Sequence, residues 1–146
     1  MRLLVTGATG LLGSRLLHAF PPGWDVTGAC HSEPVPGMVE LELESVHSVL
    51  RVLQSGHYDW VVHCAAVRSP DECERDPRRA MAVNAHGTEY VARAASRAGI
   101  RMVYASTDYV FAGDDPPYSE EDAPAPLNVY GHSKLAGEQR ALAVPG

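Results

Sequence analysis

The stretch Arg2-Leu3-Leu4-Val5-Thr6-Gly7-Ala8-Thr9-Gly10-Leu11-Leu12-Gly13 runs from a short apolar segment straight into three glycines spaced three and three. Residues with helical spacing follow. A strand that breaks into such a turn and re-forms as a helix brings backbone N–H groups up to an anion at a positive helix end. Gly7, Gly10, Leu11, Leu12 and Gly13 are therefore the first candidate dinucleotide contacts. The alternative reading is a tight strand-to-helix turn that holds no ligand. The usual dinucleotide fingerprint spaces its glycines two and three, so the spacing here is a variant of it.

Outward from this turn, short apolar runs bounded by Gly, Pro or Asp alternate with longer stretches whose apolar residues recur at helical spacing. That alternation marks βαβ units and a parallel sheet. It predicts strands over 2–6, 25–29, 39–43, 60–64 and 101–106, and helices over 11–19, 46–54, 77–98 and 129–142. The first, fourth and fifth strands are almost wholly apolar, as parallel strands buried on both faces are. Right-handed crossovers order them 3-2-1-4-5, so the expected fold is α/β, a Rossmann-type doubly wound parallel sheet. Residues 112–127, rich in proline and acids, read as a surface excursion.

With 146 residues, 45% of them hydrophobic, the chain fits one domain, 1–146. Eighteen acidic against twelve basic residues give a net charge of -6, and the basic residues form no stripe, which argues against nucleic acid as a partner. The sequence shows neither signal-peptide zones nor a membrane-length apolar run, so a cytoplasmic protein without a membrane partner is expected. Cys30, Cys64 and Cys73 are odd in number and lack paired spacing, which suggests reduced thiols.

The end of the second strand decides between cofactors, because an acid there binds an adenosine ribose and disfavours a 2'-phosphate. Here Cys30-His31-Ser32 occupies that place, with no acid before Glu33. NADP(H) is thus favoured over NAD(H), with His31 and Ser32 as candidate phosphate contacts or else solvated loop residues. Glu42 and Leu43, closing the third strand, are candidates for the adenine end, or plain strand residues. His63-Cys64-Ala65-Ala66 ends the fourth strand in small residues that let a flat dinucleotide lie close, with His63 itself expected to be structural. Asp71, Cys73 and Glu74 superficially resemble a metal set, but one thiol with carboxylates on a Pro-bounded segment reads better as a solvated helix end, so no metal is expected.

Tyr130 and Lys134 are four residues apart, a spacing that stacks both side chains on one helix face. Reduction of a ketone by hydride needs a proton for the developing alkoxide, and a free phenol of pKa about 10 holds its proton firmly. A neighbouring ammonium and a helix N-terminus stabilise the phenolate, and Lys134 also reaches toward the nicotinamide ribose. Thr107, at the predicted end of the fifth strand, supplies a hydroxyl to the substrate oxygen. Thr107, Tyr130 and Lys134 are the candidate catalytic set, and Tyr130 and Lys134 are also cofactor contacts.

Taken together, these residues resemble an extended short-chain dehydrogenase/reductase, in which the Gly-x-x-Gly-x-x-Gly form occurs, and more narrowly the dTDP-4-dehydrorhamnose reductase group. The narrower likeness rests on Ser106-Thr107-Asp108-Tyr109-Val110-Phe111, Pro117-Tyr118-Ser119-Glu120-Glu121-Asp122 and Pro126-Leu127-Asn128-Val129-Tyr130-Gly131-His132-Ser133-Lys134-Leu135-Ala136-Gly137-Glu138. It implies reduction of a nucleotide-linked 4-keto-6-deoxy sugar with NADPH or NADH, as in dTDP-L-rhamnose synthesis. By position, Thr107 and Asp108 would touch the sugar, Tyr130 would be the acid, Lys134 would tune it, and Gly10-Leu11-Leu12 and Ala65-Ala66-Val67-Arg68 would line the cofactor. Asn84 matches the helix asparagine that supports the active site, the alternative being an exposed helix residue.

The family continues into a sixth strand and a substrate domain, whereas this sequence ends twelve residues after Lys134. An incomplete chain with an unpaired fifth-strand edge is therefore expected. Two other readings stay open: a noncatalytic dinucleotide-binding subunit resembling the regulatory subunit of methionine adenosyltransferase, and a sugar-nucleotide epimerase or dehydratase. The resemblance also implies a homodimer through the helices near 88–98 and 129–142.

Overall fold

In a computed structural model that describes residues 1–31 and 35–145, five strands form one parallel sheet in the order β3-β2-β1-β4-β5. These are β1 (Arg2–Thr6), β2 (Asp25–Cys30), β3 (Met38–Glu40), β4 (Trp60–His63) and β5 (Arg101–Tyr104). The helices are α1 (Leu11–Leu16), α2 (Val46–Ser55), α3 (Pro70–Arg75), α4 (Pro77–Met81), α5 (Thr88–Ala98) and α6 (Val129–Leu142). The expected α/β class and strand order are those of the structure.

Burial explains the centre of the sheet. β1 pairs with β2 through Leu3↔Val26 and with β4 through Leu3↔Trp60, and Leu3, Leu4 and Val5 are fully buried between the two helical layers. Leu4, Ala29 and Val61 face α2 and α5, which add Val49, Val52 and Leu53 at helical spacing from one side and Val91, Ala94 and Ala95 from the other. Gly28 faces the opposite way, toward Ala8 and Leu17 at α1. Serine caps set where α2 and α3 begin: Ser45 Oγ accepts from Ser48 N–H, and Ser69 Oγ accepts from Glu72 N–H. α5 ends at Gly99, whose φ of +67° closes a left-handed cap with Ile100 N–H on the Ala95 carbonyl.

Several boundaries differ from the sequence expectation; α1, expected to run to residue 19, ends at Leu16. β3 ends at Glu40 because the Glu42 N–H is taken by Ser48 Oγ at 3.1 Å, which turns the chain into the α2 cap. β5 ends at Tyr104, pairs among the described residues only with β4, and is not buried on both faces, Val103 being 47% exposed. The helix expected over 77–98 is interrupted by a π-helical turn, Ala82–Gly87, and preceded by a separate α3. Asp76 caps α4 at this break and Pro77 sits at its first position, where a missing N–H costs nothing.

Residues 112–127 contain no helix or strand, as expected, but they are pinned: Phe111 stacks on Tyr118 at 4.5 Å, the Tyr118 hydroxyl donates to Asp114 at 2.8 Å, and Ala125 N–H bonds the Val110 carbonyl. No helix among the described residues is long and apolar enough to cross a membrane.

Candidate active site

The glycines of the first turn are positioned by contact. Gly7 has φ +66°, and a Cβ on it would meet Ala65 N and Cα at 2.8 Å, so its bareness lets β1 turn directly against the end of β4. A Cβ on Gly13 would stand 2.2 Å from the Gly7 carbonyl oxygen, which is why α1 can start so close under the turn. Gly10 begins α1 with no side-chain cap, leaving the first-turn amides for an anion or water.

A cleft of about 340 Å³ opens at the C-terminal ends of β1, β2 and β4, at the low end of the usual range for small-molecule sites. Of the expected cofactor contacts, Gly7, Gly10, His31, Leu43, Ala65, Ala66, Val67 and Arg68 line it. Gly13 lies beneath, while Leu11, 80% exposed, and Leu12 stand outside the lining on the solvent side of α1. Glu42 is exposed and outside it, with its neighbours Leu41, Leu43 and Glu44 turned in. Ser32 lies outside the described residues.

The sequence reading did not assign Thr9, Arg79 or Val83 to this cleft. Thr9 was legible as a variable position of the glycine turn. Arg79 and Val83 carried no signal, because their approach depends on the break that creates α4 and the π-turn.

Thr107, Asp108, Tyr130 and Lys134 do not line this cleft; Thr107 and Asp108 lie at the 3-10 turn that follows β5, and Tyr130 and Lys134 on α6. Lys134 is 2% exposed, and its ammonium donates to the Ala105 carbonyl at 2.7 Å and lies 4.0 Å from the Tyr104 ring centroid. Burial brings its pKa down to about 8, with Glu138 and Cys64 pulling upward. Cys64 links the two regions: it lines the cleft, and its thiol pKa is pushed up by burial and pulled back by the Lys134 charge. Tyr130, one turn before Lys134, lies edge-on to Tyr109 with centroids 5.5 Å apart. Thr107 caps the 3-10 turn Asp108–Val110 by accepting from Tyr109 N–H at 3.3 Å and donates to Asp108 at 3.2 Å. That turn packs on α6 so closely that a Cβ on Gly131 would come 2.2 Å from the Tyr109 carbonyl.

Asn84, buried in the π-turn, joins cleft and helix. Its Oδ1 accepts from Val67 N–H at 2.8 Å, and its Nδ2 donates to the Val67 carbonyl and to Ser133 Oγ, both at 2.9 Å. A π-turn inside a helix often marks such a site, because the extra residue re-aims a side chain. We expect Asn84→Ala to lower unfolding free energy by about 2–4 kcal/mol in urea titrations, since the buried Val67 N–H loses its partner. A loss below about 1 kcal/mol would mean that the loop finds other partners.

His63 is fully buried and structural. The Thr88 hydroxyl gives its hydrogen to the Asn84 carbonyl at 2.7 Å, so it can only accept from His63 Nε2 at 3.1 Å. Nδ1 then accepts from the Thr6 hydroxyl at 2.7 Å, which in turn accepts from Ala65 N–H. Burial, assisted by the Lys134 charge, drives the imidazole pKa down to about 3, so the neutral ring is a fixed strut. Asp71, Cys73 and Glu74 do not converge: the Cys73 thiol donates to the Val67 carbonyl, and the Glu74 carboxylate accepts from Val129 N–H. Among the described residues no cluster of His, Cys, Asp and Glu could hold a metal.

The family model described as "RmlD substrate binding domain" matches residues 1–144. The chain is 45% identical over 142 residues to methionine adenosyltransferase 2 subunit beta of Danio rerio, covering 97% of this chain and 43% of that protein. It is 40% identical over 148 residues to dTDP-4-dehydrorhamnose reductase of Mycobacterium tuberculosis, covering 97% and 46%. Among solved structures, the dTDP-4-dehydrorhamnose reductase of Bacillus anthracis in complex with NADP superposes with a TM-score of 0.88 at 36% identity, covering 98% of this chain and 49% of that one. The chain thus spans about half the length of the relatives it matches.

Proposed function

Because the chain belongs to the RmlD substrate binding domain family, we propose that it supplies the dinucleotide site and the proton donor of an NAD(P)H-dependent reductase acting on a nucleotide-linked 4-keto-6-deoxy sugar. The observation that carries this reading is the buried Lys134 amine, fixed on the Ala105 carbonyl one turn from Tyr130 and beside a glycine-walled cleft. The residues fit a dinucleotide: Gly7 and Gly13 open the backbone, Gly10 leaves amides free, and Ala65, Ala66, Leu41 and Leu43 offer flat or small apolar walls. Bound there, the nicotinamide would supply the hydride.

The chain's own residues handle the rest. Thr107 would bond the substrate carbonyl oxygen and Asp108 the sugar, while the Tyr130 phenol gives its proton to the alkoxide as charge develops. Lys134 stays an ammonium at pH 7, below its pKa of about 8, and would supply positive charge one helical turn from that phenol. NADPH oxidation by protein carrying these 146 residues, with a dTDP-linked 4-keto-6-deoxy sugar, tests the reading. Dinucleotide binding without sugar-dependent oxidation would sink it.

A second reading, a noncatalytic dinucleotide-binding subunit, is favoured by the 45% identity to the methionine adenosyltransferase subunit. Under it, the biological role survives loss of the Tyr130 phenol. Within either reading NADPH is the preferred dinucleotide: His31 follows β2 where an acid would select the bare ribose, and Arg68 and Arg79 line the same cleft. Calorimetric titrations should give a lower dissociation constant for NADPH than for NADH, and a ratio of one or the reverse order would reject this preference.

A further inference from the structure

Two adjacent residues of α3 fasten two different parts of the molecule. Cys73, fully buried, donates its thiol hydrogen to the Val67 carbonyl at 3.4 Å, on the loop that lines the cleft. Glu74 points outward, and its Oε1 accepts from the Val129 N–H at 2.9 Å, 55 residues further along the chain. Val129 is the first residue of α6, where amides have no partner within the helix. Asn128 Oδ1 satisfies the Gly131 N–H at 2.8 Å, and the Glu74 carboxylate takes the Val129 N–H from across the interface. A negative charge at this end also meets the positive pole of the helix that carries Tyr130 and Lys134.

This outer fastening parallels the inner one. Asn84 ties Val67 to Ser133 deep in the same interface, so the cleft loop and α6 are joined at two heights, by Asn84 inside and by α3 at the rim. Tyr130, next to Val129, sits between the two attachments. Without the rim bond, the first turn of α6 is held by the Asn128 cap and by its packing on the turn at Tyr109.

We propose that Glu74 is a positioning residue that sets the N-terminus of α6, and with it the Tyr130 phenol, against the cleft loop. Its effect on turnover rests on the reductase reading; the fastening itself does not.

Amide hydrogen exchange at Val129, followed by NMR in the 146-residue chain, reads the bond directly. Glu74→Ala should speed that exchange about fivefold, as loss of a helix cap does. Glu74→Gln should restore it, because the amide oxygen accepts the same bond. Glu72→Ala, which removes the neighbouring surface pair with Arg79, should leave Val129 unchanged. In the turnover assay Glu74→Ala should lower kcat and leave the NADPH dissociation constant unaltered, with Glu74→Gln recovering kcat. Unchanged Val129 exchange in Glu74→Ala overturns the proposal, and so does exchange that is equally fast in the Gln variant. The expected exchange pattern in a protein that does not oxidise NADPH upholds the fastening and defeats the reductase reading instead.

Discussion

Tyr130→Phe should lower sugar-dependent NADPH oxidation by about 10²- to 10⁴-fold, the usual contribution of one positioned acid. The substitution isolates the proton, because phenylalanine keeps the ring that lies edge-on to Tyr109. The first turn of α6 keeps its Asn128 and Glu74 bonds, and neither involves the phenol. Tyr130 does not line the 340 Å³ cleft, so the dissociation constant for NADPH should hold while kcat falls. Initial rates from NADPH absorbance, with binding measured separately, check both halves. A Phe variant that turns over at the parental rate would remove Tyr130 from the chemistry and require another proton donor.

Lys134 should leave its mark on the pH dependence of stability. Burial lowers its pKa from 10.5 to about 8, against the upward pull of Glu138 and Cys64, so the folded chain releases this proton before the unfolded chain does. Below about pH 8 both states are charged and the folded state carries the whole penalty of the buried ammonium, about 3 kcal/mol. Between about 8 and 10.5 the unfolded state binds more protons, so stability rises with pH and the penalty disappears.

The comparison is with Lys134→Met, which keeps an unbranched stem of similar bulk. Urea titrations at successive pH values should show the unfolding free energy of the parent gaining about 3 kcal/mol on the variant across that window, and no change below it. A flat difference would show that the amine is hydrated. The contacts with the Ala105 carbonyl and the Tyr104 ring offset part of the desolvation without removing it. A buried, weakly compensated charge is the kind of local cost that proteins retain at sites of chemistry.

Tyr130 and Lys134 are both legible in the sequence, and so is the sheet beside which they stand. The apolar run ending in Gly7 and the four-residue step from Tyr130 to Lys134 are local patterns, and local patterns follow from backbone periodicity. The elements that failed to show themselves depend on distant partners. Nothing in residues 77–98 interrupts a helical pattern, yet the chain forms a π-turn there with the Asn84 side chain bonded to Val67 and Ser133, 17 and 49 residues away. The charged segment around Glu74 read as a solvated helix end, although one of its carboxylates caps a helix 55 residues on. At the sheet edges the reverse happened: residues 41–43 and 105–106 look like strand, but a strand with a neighbour on one side ends once a cap or a turn competes for its backbone.

The sequence by itself determined the strand order and the glycine turn, because handed crossovers and short-range spacing leave few alternatives, and it marked Thr107, Tyr130 and Lys134 as the candidate catalytic set. Only the tertiary structure decided that Lys134 is buried on the Ala105 carbonyl, that His63 is a neutral strut between Thr6 and Thr88, and that Asn84 and Glu74 fasten α6 to the cleft loop. Those outcomes depend on desolvation and on hydrogen-bond partners that lie far apart in the chain, and neither is a property of any local stretch of residues.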